Sequence, residues 1–263
     1  MNFENIKLEF TNNKIVTLLF SNPKSRNAFN PEMIMDIKKA LKMLKNSDRC
    51  RILIFRGEGD TFSSGADLSW MKKSINLNYE KNKKESKAFT EMLECIDNFP
   101  KPTISLVNGH AFGGALGVIA ASDYSFSYEK CNFCFSEVKL GLIPAMIAPY
   151  IVRSLGYKVA KRLFLTGEIF DAKKALTIGL IDEIINNKET KIMKLELLDN
   201  LLKAAPEAQN NLKSFLKKIS FKDIDEKLTD YTAETISKIR VTKEAQEGLS
   251  AFLEKRKPAW RED

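Results

Sequence analysis

Short apolar runs alternate with helical-period segments along this chain, and the pattern recurs about every 50 residues. Arg51–Phe55 reads as a buried strand and precedes a long helical segment, Tyr79 to Phe99, which Pro100 and Pro102 stop. Thr103–Val107 reads as a strand and precedes the helix Gly113–Ala121; Asp123–Tyr128 reads as the next strand. Parallel strands need crossovers of a dozen residues or more, usually helical, so this order predicts an α/β fold built on a parallel sheet. Residues 6–10 and 14–21 read as a hairpin turning at Thr11-Asn12-Asn13. Pro31 opens a helix that repeats Met33, Ile34, Ile37, Leu41 and Leu44 at helical spacing. Further helices are expected over Met146–Ser154, Lys158–Phe164 and Ala172–Ile178, and a strand over Gly179–Ile184. From about Lys188 the chain turns helical, charged and poor in glycine. The expected division is therefore a core over 1–200 and a C-terminal helical region over 201–263.

Composition narrows the functional classes. The 263 residues, 44% hydrophobic and 29% charged, suffice for a sizeable core. The amino terminus lacks a basic segment followed by an apolar one, and the apolar run Ala115–Ala121 is far too short to span a bilayer. A cytoplasmic protein with no membrane partner is expected. The net charge of +8 fits either a lysine-rich solvated surface or anionic partners. Lys72, Lys73, Lys81, Lys83 and Lys84 lie among polar helical residues without interleaved aromatics, which argues against a nucleic-acid stripe. Cys131 and Cys134 have CxxC spacing but no second pair, and His110 is the sole histidine, so no metal site is expected. Cys131, Phe133 and Phe135 alternate instead as on one face of a strand.

Three motifs carry the chemistry. In Asn108-Gly-His-Ala-Phe-Gly113-Gly114-Ala-Leu-Gly117, glycines follow a strand and open a helix. The first N–H groups of a helix have no intrahelical partner and carry the positive end of its dipole. The Gly114 N–H is thus a candidate anion donor; close helix–sheet packing is the plain structural alternative. Phe62-Ser63-Ser64-Gly65-Ala66-Asp67-Leu68 follows the preceding strand, and an N–H at Ser64 could face the same point. Two converging donors would stabilise charge developing on a carbonyl oxygen. In Phe135-Ser136-Glu137-Val138-Lys139-Leu140-Gly141 a carboxylate lies at the end of a strand among apolar residues. A desolvated glutamate can exchange protons near neutrality, whereas one paired with Lys139 would be a surface feature. No G-x-G-x-x-G, Walker or G-x-S-x-G pattern is present.

The order and spacing of these segments resemble the crotonase (enoyl-CoA hydratase/isomerase) superfamily over essentially the whole chain. The resemblance implies a spiral of ββα turns with a C-terminal helical trimerisation region, as homotrimer or hexamer. It implies an acyl-CoA substrate, with CoA part of the substrate and no separate cofactor. Ser64 and Gly114 match the thioester-holding N–H groups and Glu137 the acid/base. Lys24, Arg26 and Ala28 match a loop near the CoA nucleotide. Ala66, Asp67 and Leu68 match positions along the CoA arm, beside Gly113. Phe252 and Lys255 resemble C-terminal positions that reach a neighbouring subunit's CoA. Typical hydratases carry a second glutamate where this chain has Gly117, expected here to leave room near the reacting carbons. The Phe133–Tyr150 segment, including Pro144 and Met146, together with Trp70-Met71, resembles a bacterial branch similar to methylglutaconyl-CoA hydratase. Trp70 and Met146 are expected to shape the acyl pocket. The resemblance thus implies an enoyl-CoA hydratase for short or branched 2-enoyl-CoA esters, with fatty-acid or leucine breakdown as settings. A Δ3,Δ2-enoyl-CoA isomerase and a non-catalytic CoA- or RNA-binding relative are the alternatives.

Overall fold

The amino-terminal hairpin starts the sheet. In the computed structural model, which describes residues 3–185 and 196–261, β1 (Ile6–Phe10) pairs antiparallel with β2 (Ile15–Phe20). Helix α1 (Pro31–Lys45) follows, capped by the Asn30 side chain, which accepts the Met33 N–H at 2.7 Å. It buries the periodic stripe of Met33, Ile34, Ile37, Leu41 and Leu44.

Each later turn lays down one long strand, one short strand and a helix. The first comprises β3 (Ile52–Gly57), β4 (Thr61–Ser63), a short α2 (Leu68–Ser74) and α3 (Tyr79–Asp97). The second comprises β5 (Thr103–Val107), β6 (His110–Phe112) and α4 (Gly114–Ala121). The third comprises β7 (Tyr124–Tyr128), β8 (Asn132–Cys134), α5 (Ala148–Leu155) and α6 (Tyr157–Thr166). Then β9 (Ile169–Asp171), α7 (Ala172–Thr177) and β10 (Glu183–Ile185) close this unit. The long strands form a six-stranded sheet in the order β1-β2-β3-β5-β7-β10, parallel from β2 onward. The short ones form a second sheet, β4-β6-β8-β9.

Asn108 ties successive turns together. It is 3% exposed, donates from Nδ2 to the carbonyls of Gly57 (2.9 Å) and Gly59 (2.7 Å), and accepts the Gly57 N–H at 3.0 Å. A Cβ on Gly109 would stand 2.0 Å from the Asp60 carbonyl oxygen, so the two turns touch backbone to backbone.

The chain divides into two compact units, Met1–Phe99 with Thr103–Glu189, and Pro100–Pro102 with Thr190–Asp263. The second holds α8 (Glu196–Lys203), α9 (Pro206–Ile219), α10 (Glu226–Arg240) and α11 (Lys243–Leu253). There Glu244 accepts the N–H groups of Glu207 and Ala208 at 2.9 and 2.8 Å, capping α9 from a distant helix.

Several sequence expectations shift. The strand expected over Gly179–Ile184 begins only at Glu183, because Gly179 (φ +79°) and the residues to Asp182 form a turn. The helix expected from Met146 starts at Ala148, after a turn closed by the Ile147 and Ala148 N–H groups on Pro144. The helical onset near Lys188 falls outside the described residues. Of the second sheet only β8 shows in the sequence, through the alternation of Cys131, Phe133 and Phe135; β4, β6 and β9 are too short for a period to register.

Replacing Asn108 by Ala removes three hydrogen bonds and strands the Gly57 N–H, so a loss of about 2–4 kcal/mol is expected. Urea unfolding of Asn108→Ala measures it; an unchanged midpoint would contradict this role.

Candidate active site

The β4–β6 pairing delivers two loops to one place. Thr61 lies opposite His110 and Ser63 opposite Ala111, in parallel. Beyond the strands, Gly65 (φ +88°) and Gly113 (φ +52°) take backbone conformations that favour glycine. A Cβ on Gly65 would stand 2.7 Å from the Phe112 carbonyl oxygen and 3.6 Å from the Gly113 Cα. The next residues along each chain, Ala66 and Gly114, are therefore neighbours.

Their amides are the free ones. The Phe29 N–H donates to the Gly65 carbonyl (2.7 Å) and the Asp67 N–H to the Phe29 carbonyl (2.9 Å), bridging Phe29 to Ala66. Among the described residues no hydrogen bond engages the Ala66 N–H, and Ala66 is exposed. Gly114 opens α4, whose cap residue Gly113 offers no side chain, and its N–H is likewise without an acceptor among the described residues. The Ser64 N–H, expected from sequence as the first donor, instead donates to the Arg26 carbonyl at 3.0 Å. That expectation is corrected: the bond to Arg26 uses up the Ser64 amide, and the available donor lies two residues on.

Glu137 lies on a short 3₁₀ turn, Glu137–Leu140, after β8, rather than on the strand itself. Its Oε1 would be 3.3 Å from a Cβ on Gly113, so the carboxylate abuts the glycine loop. Its Oε2 is buried without a hydrogen-bond partner. Burial pushes the carboxyl above the ordinary carboxylate range, against a weaker opposing backbone hydrogen bond.

These groups open onto one cavity of about 350 Å³. Ser64, Ala66, Leu68, Trp70, Gly113, Gly114, Glu137, Pro144 and Met146 all line it. Asp67 does not; it caps α2, accepting the Trp70 N–H at 3.0 Å. Lys24 and Arg26 are exposed and Ala28 is buried, all three outside the cavity wall on the Pro23–Ser25 turn and the segment after it.

Gly117 is also absent from the wall. It is buried, and a Cβ there would stand 2.4 Å from Ile147 Cγ2 and 3.1 Å from Leu93 Cδ1. The room expected beside the reacting carbons is already filled by Ile147, a lining residue that the sequence analysis passed over. Glu85 and Phe89 were missed as well, although Glu85, Phe89 and Leu93 recur every four residues and so share one face of α3.

Cys131 and Cys134 are packing groups. Cys131 Sγ donates to the Val107 carbonyl and Cys134 Sγ to the Gly167 carbonyl, each at 3.2 Å, and burial raises both thiol pKa values. His110 is exposed and accepts the Asn132 N–H at 3.2 Å. Among the described residues no three His, Cys, Asp or Glu side chains cluster to hold a metal ion, and no helix is long and apolar enough to cross a membrane.

Comparison with known proteins agrees with this architecture. The sequence profile of the enoyl-CoA hydratase/isomerase family matches residues 10–263. The chain belongs to that family. An enoyl-CoA hydratase from Shewanella pealeana has the same crotonase fold, with a TM-score of 0.94 and 39% identity over 98% of this chain and 97% of that one. A crotonyl-CoA hydratase of Syntrophomonas wolfei is 29% identical over 98% of each chain. A trans-2-decenoyl-[acyl-carrier-protein] isomerase of Streptococcus mutans is 25% identical over the same shares. Family members of both reaction types are thus similar to this chain.

Introducing the second carboxylate should fail. Gly117→Glu drives a side chain into Ile147 and buries a charge, so a loss of about 3 kcal/mol or more is expected in urea unfolding. A stable Gly117→Glu protein would contradict the packing described.

Proposed function

We propose that this protein is an enoyl-CoA hydratase that adds water across the double bond of a short or branched 2-enoyl-CoA using one carboxylate. The observation carrying this reading is the Glu137 carboxylate, whose Oε2 is buried without a hydrogen-bond partner, beside the free amides of Ala66 and Gly114. The thioester oxygen accepts both N–H groups, each donor contributing roughly 3 kcal/mol as negative charge develops. Water attacks C3 as Glu137 takes its proton, and the double-bond electrons move through C2 onto the thioester oxygen. The resulting enolate collapses, and Glu137 returns the proton to C2. Water is added and the carboxylate regenerated. The raised Glu137 pKa supports this, because the same group must accept and then release a proton near neutrality.

A second reading rests on a specific observation. With position 117 closed by Ile147, a lone carboxylate also suits Δ3,Δ2-isomerisation, in which Glu137 takes a proton from C2 and returns one to C4. Exposed Lys24 and Arg26 suit the CoA phosphates. The exposure of Phe252 (81%) and Leu253 (78%) at the end of α11 supports the homotrimer or hexamer that the family resemblance implies. A cytoplasmic setting completes the proposal.

The test follows absorbance at the conjugated enoyl-thioester band. Crotonyl-CoA and 3-methylcrotonyl-CoA should lose the band with the wild type and not with Glu137→Gln, a drop of at least about 10²-fold. Gain of the band from a 3-enoyl-CoA, with 2-enoyl esters inert, would make the protein an isomerase. No turnover of either would overturn an enzymatic reading.

A further inference from the structure

The acyl cavity holds a second carboxylate that the reaction does not use. Glu85 lies on α3, one helical turn before Phe89 and two before Leu93. A Cβ on Gly114 would stand 2.8 Å from Phe89 Cζ, and one on Gly117 3.1 Å from Leu93 Cδ1. Stepping back along α3 from Leu93 to Phe89 thus follows α4 from Gly117 to its first residue. One more turn carries Glu85 past the start of α4 and into the cavity wall. There the Trp70 indole N–H donates to the Glu85 carboxylate, and both residues line the cavity.

The surroundings of Glu85 are one-sided. The charged side chains on the wall are Glu85 and Glu137; no Lys, Arg or His lines it among the described residues. Of the five hydroxyl and amide side chains on the wall, three are directed elsewhere, whereas the Ser86 and Ser136 hydroxyls have no hydrogen-bond partner among the described residues. Asn82 Nδ2 donates to the Leu77 carbonyl at 3.1 Å, Ser74 Oγ to the Met71 carbonyl at 2.7 Å, and Ser64 Oγ to the Ser25 carbonyl at 3.3 Å. An anionic group on the acyl chain would meet a like charge and no cation on this wall, where the free donors are the neutral Ser86 and Ser136 hydroxyls and the Ala66 and Gly114 amides. The rest of the wall is largely apolar, including Trp70, Phe89, Ile143 and Met146. An apolar acyl end is therefore accepted, and a carboxylate is repelled.

We infer that Glu85 is a specificity-determining residue that restricts the site to acyl-CoA esters with an uncharged acyl end. This rests on the acyl-CoA reading above and refines it. A methylglutaconyl group, whose hydratase the sequence resembles, carries a distal carboxylate, and that is the feature Glu85 opposes.

The experiment is calorimetric titration of wild type and Glu85→Gln with isovaleryl-CoA and 3-methylglutaryl-CoA. The two esters differ by one distal carboxylate, and neither has a double bond to hydrate. The Gln side chain keeps an oxygen acceptor for the Trp70 indole. The wild type should bind the anionic ester at least about tenfold more weakly, and Glu85→Gln should narrow the gap to about threefold or less. Equal affinity of the wild type for both esters would overturn the inference, as would an unchanged gap in a variant that still binds free CoA like the wild type. Because the readout is affinity, a failed hydration assay would count against the reaction and not against this role of Glu85.

Discussion

The parallel pairing of β4 with β6 is the constraint on which the rest of the site depends. It brings Gly65 against the Phe112 carbonyl and Gly113, at a separation that leaves no room for a Cβ. The residues that follow each glycine then present amides to the same space. One is left over when Phe29 bridges the Ala66 loop; the other is left over because a helix begins there without a side-chain cap. Neither donor depends on a side chain that could rotate away, and both are fixed by the sheet. Such preorganised donors need little rearrangement when charge develops opposite them.

The second element is a carboxylate kept short of partners. A buried acceptor without a hydrogen bond is costly, and proteins tolerate it mainly where it has a use. Glu137 bears that cost next to the free amides, while Ile147 and Leu93 close the position from which another carboxylate could approach on α4. The wall on the α3 side carries Glu85 in a different state, held by the Trp70 indole. The cavity therefore sorts its two carboxylates by environment, one desolvated with an oxygen left without a partner, the other anchored. On the reading proposed above, this difference gives the proton transfer to Glu137 and the selection of acyl groups to Glu85.

Much of this was legible in the sequence. The strand–helix alternation and the stripe on α1 follow from periodicity, and the glycine-loop and Glu137 segments stood out by residue type. What escaped depended on backbone hydrogen bonding and on contacts between distant segments. Ser64 and Ala66 both sit in a glycine turn, and only the bond from Ser64 to the Arg26 carbonyl decides which amide is free. Gly117 reads as open space in one dimension, yet Ile147, 30 residues on by number, occupies it. Short strands such as β4 and β6 carry too few residues to reveal a period. Glu85 was readable in principle, since Phe89 and Leu93 share its helical face, but a carboxylate on a lysine-rich helix resembles any solvated charge.

Polarisation of a bound thioester carbonyl by the Ala66 and Gly114 amides can be measured directly. Isotope-edited Raman or infrared difference spectroscopy on the Glu137→Gln protein with carbonyl-labelled crotonyl-CoA measures this without turnover. The thioester C=O stretch should lie at lower frequency when bound than in solution, as two N–H donors draw charge onto the oxygen. A stretch unchanged on binding would contradict it.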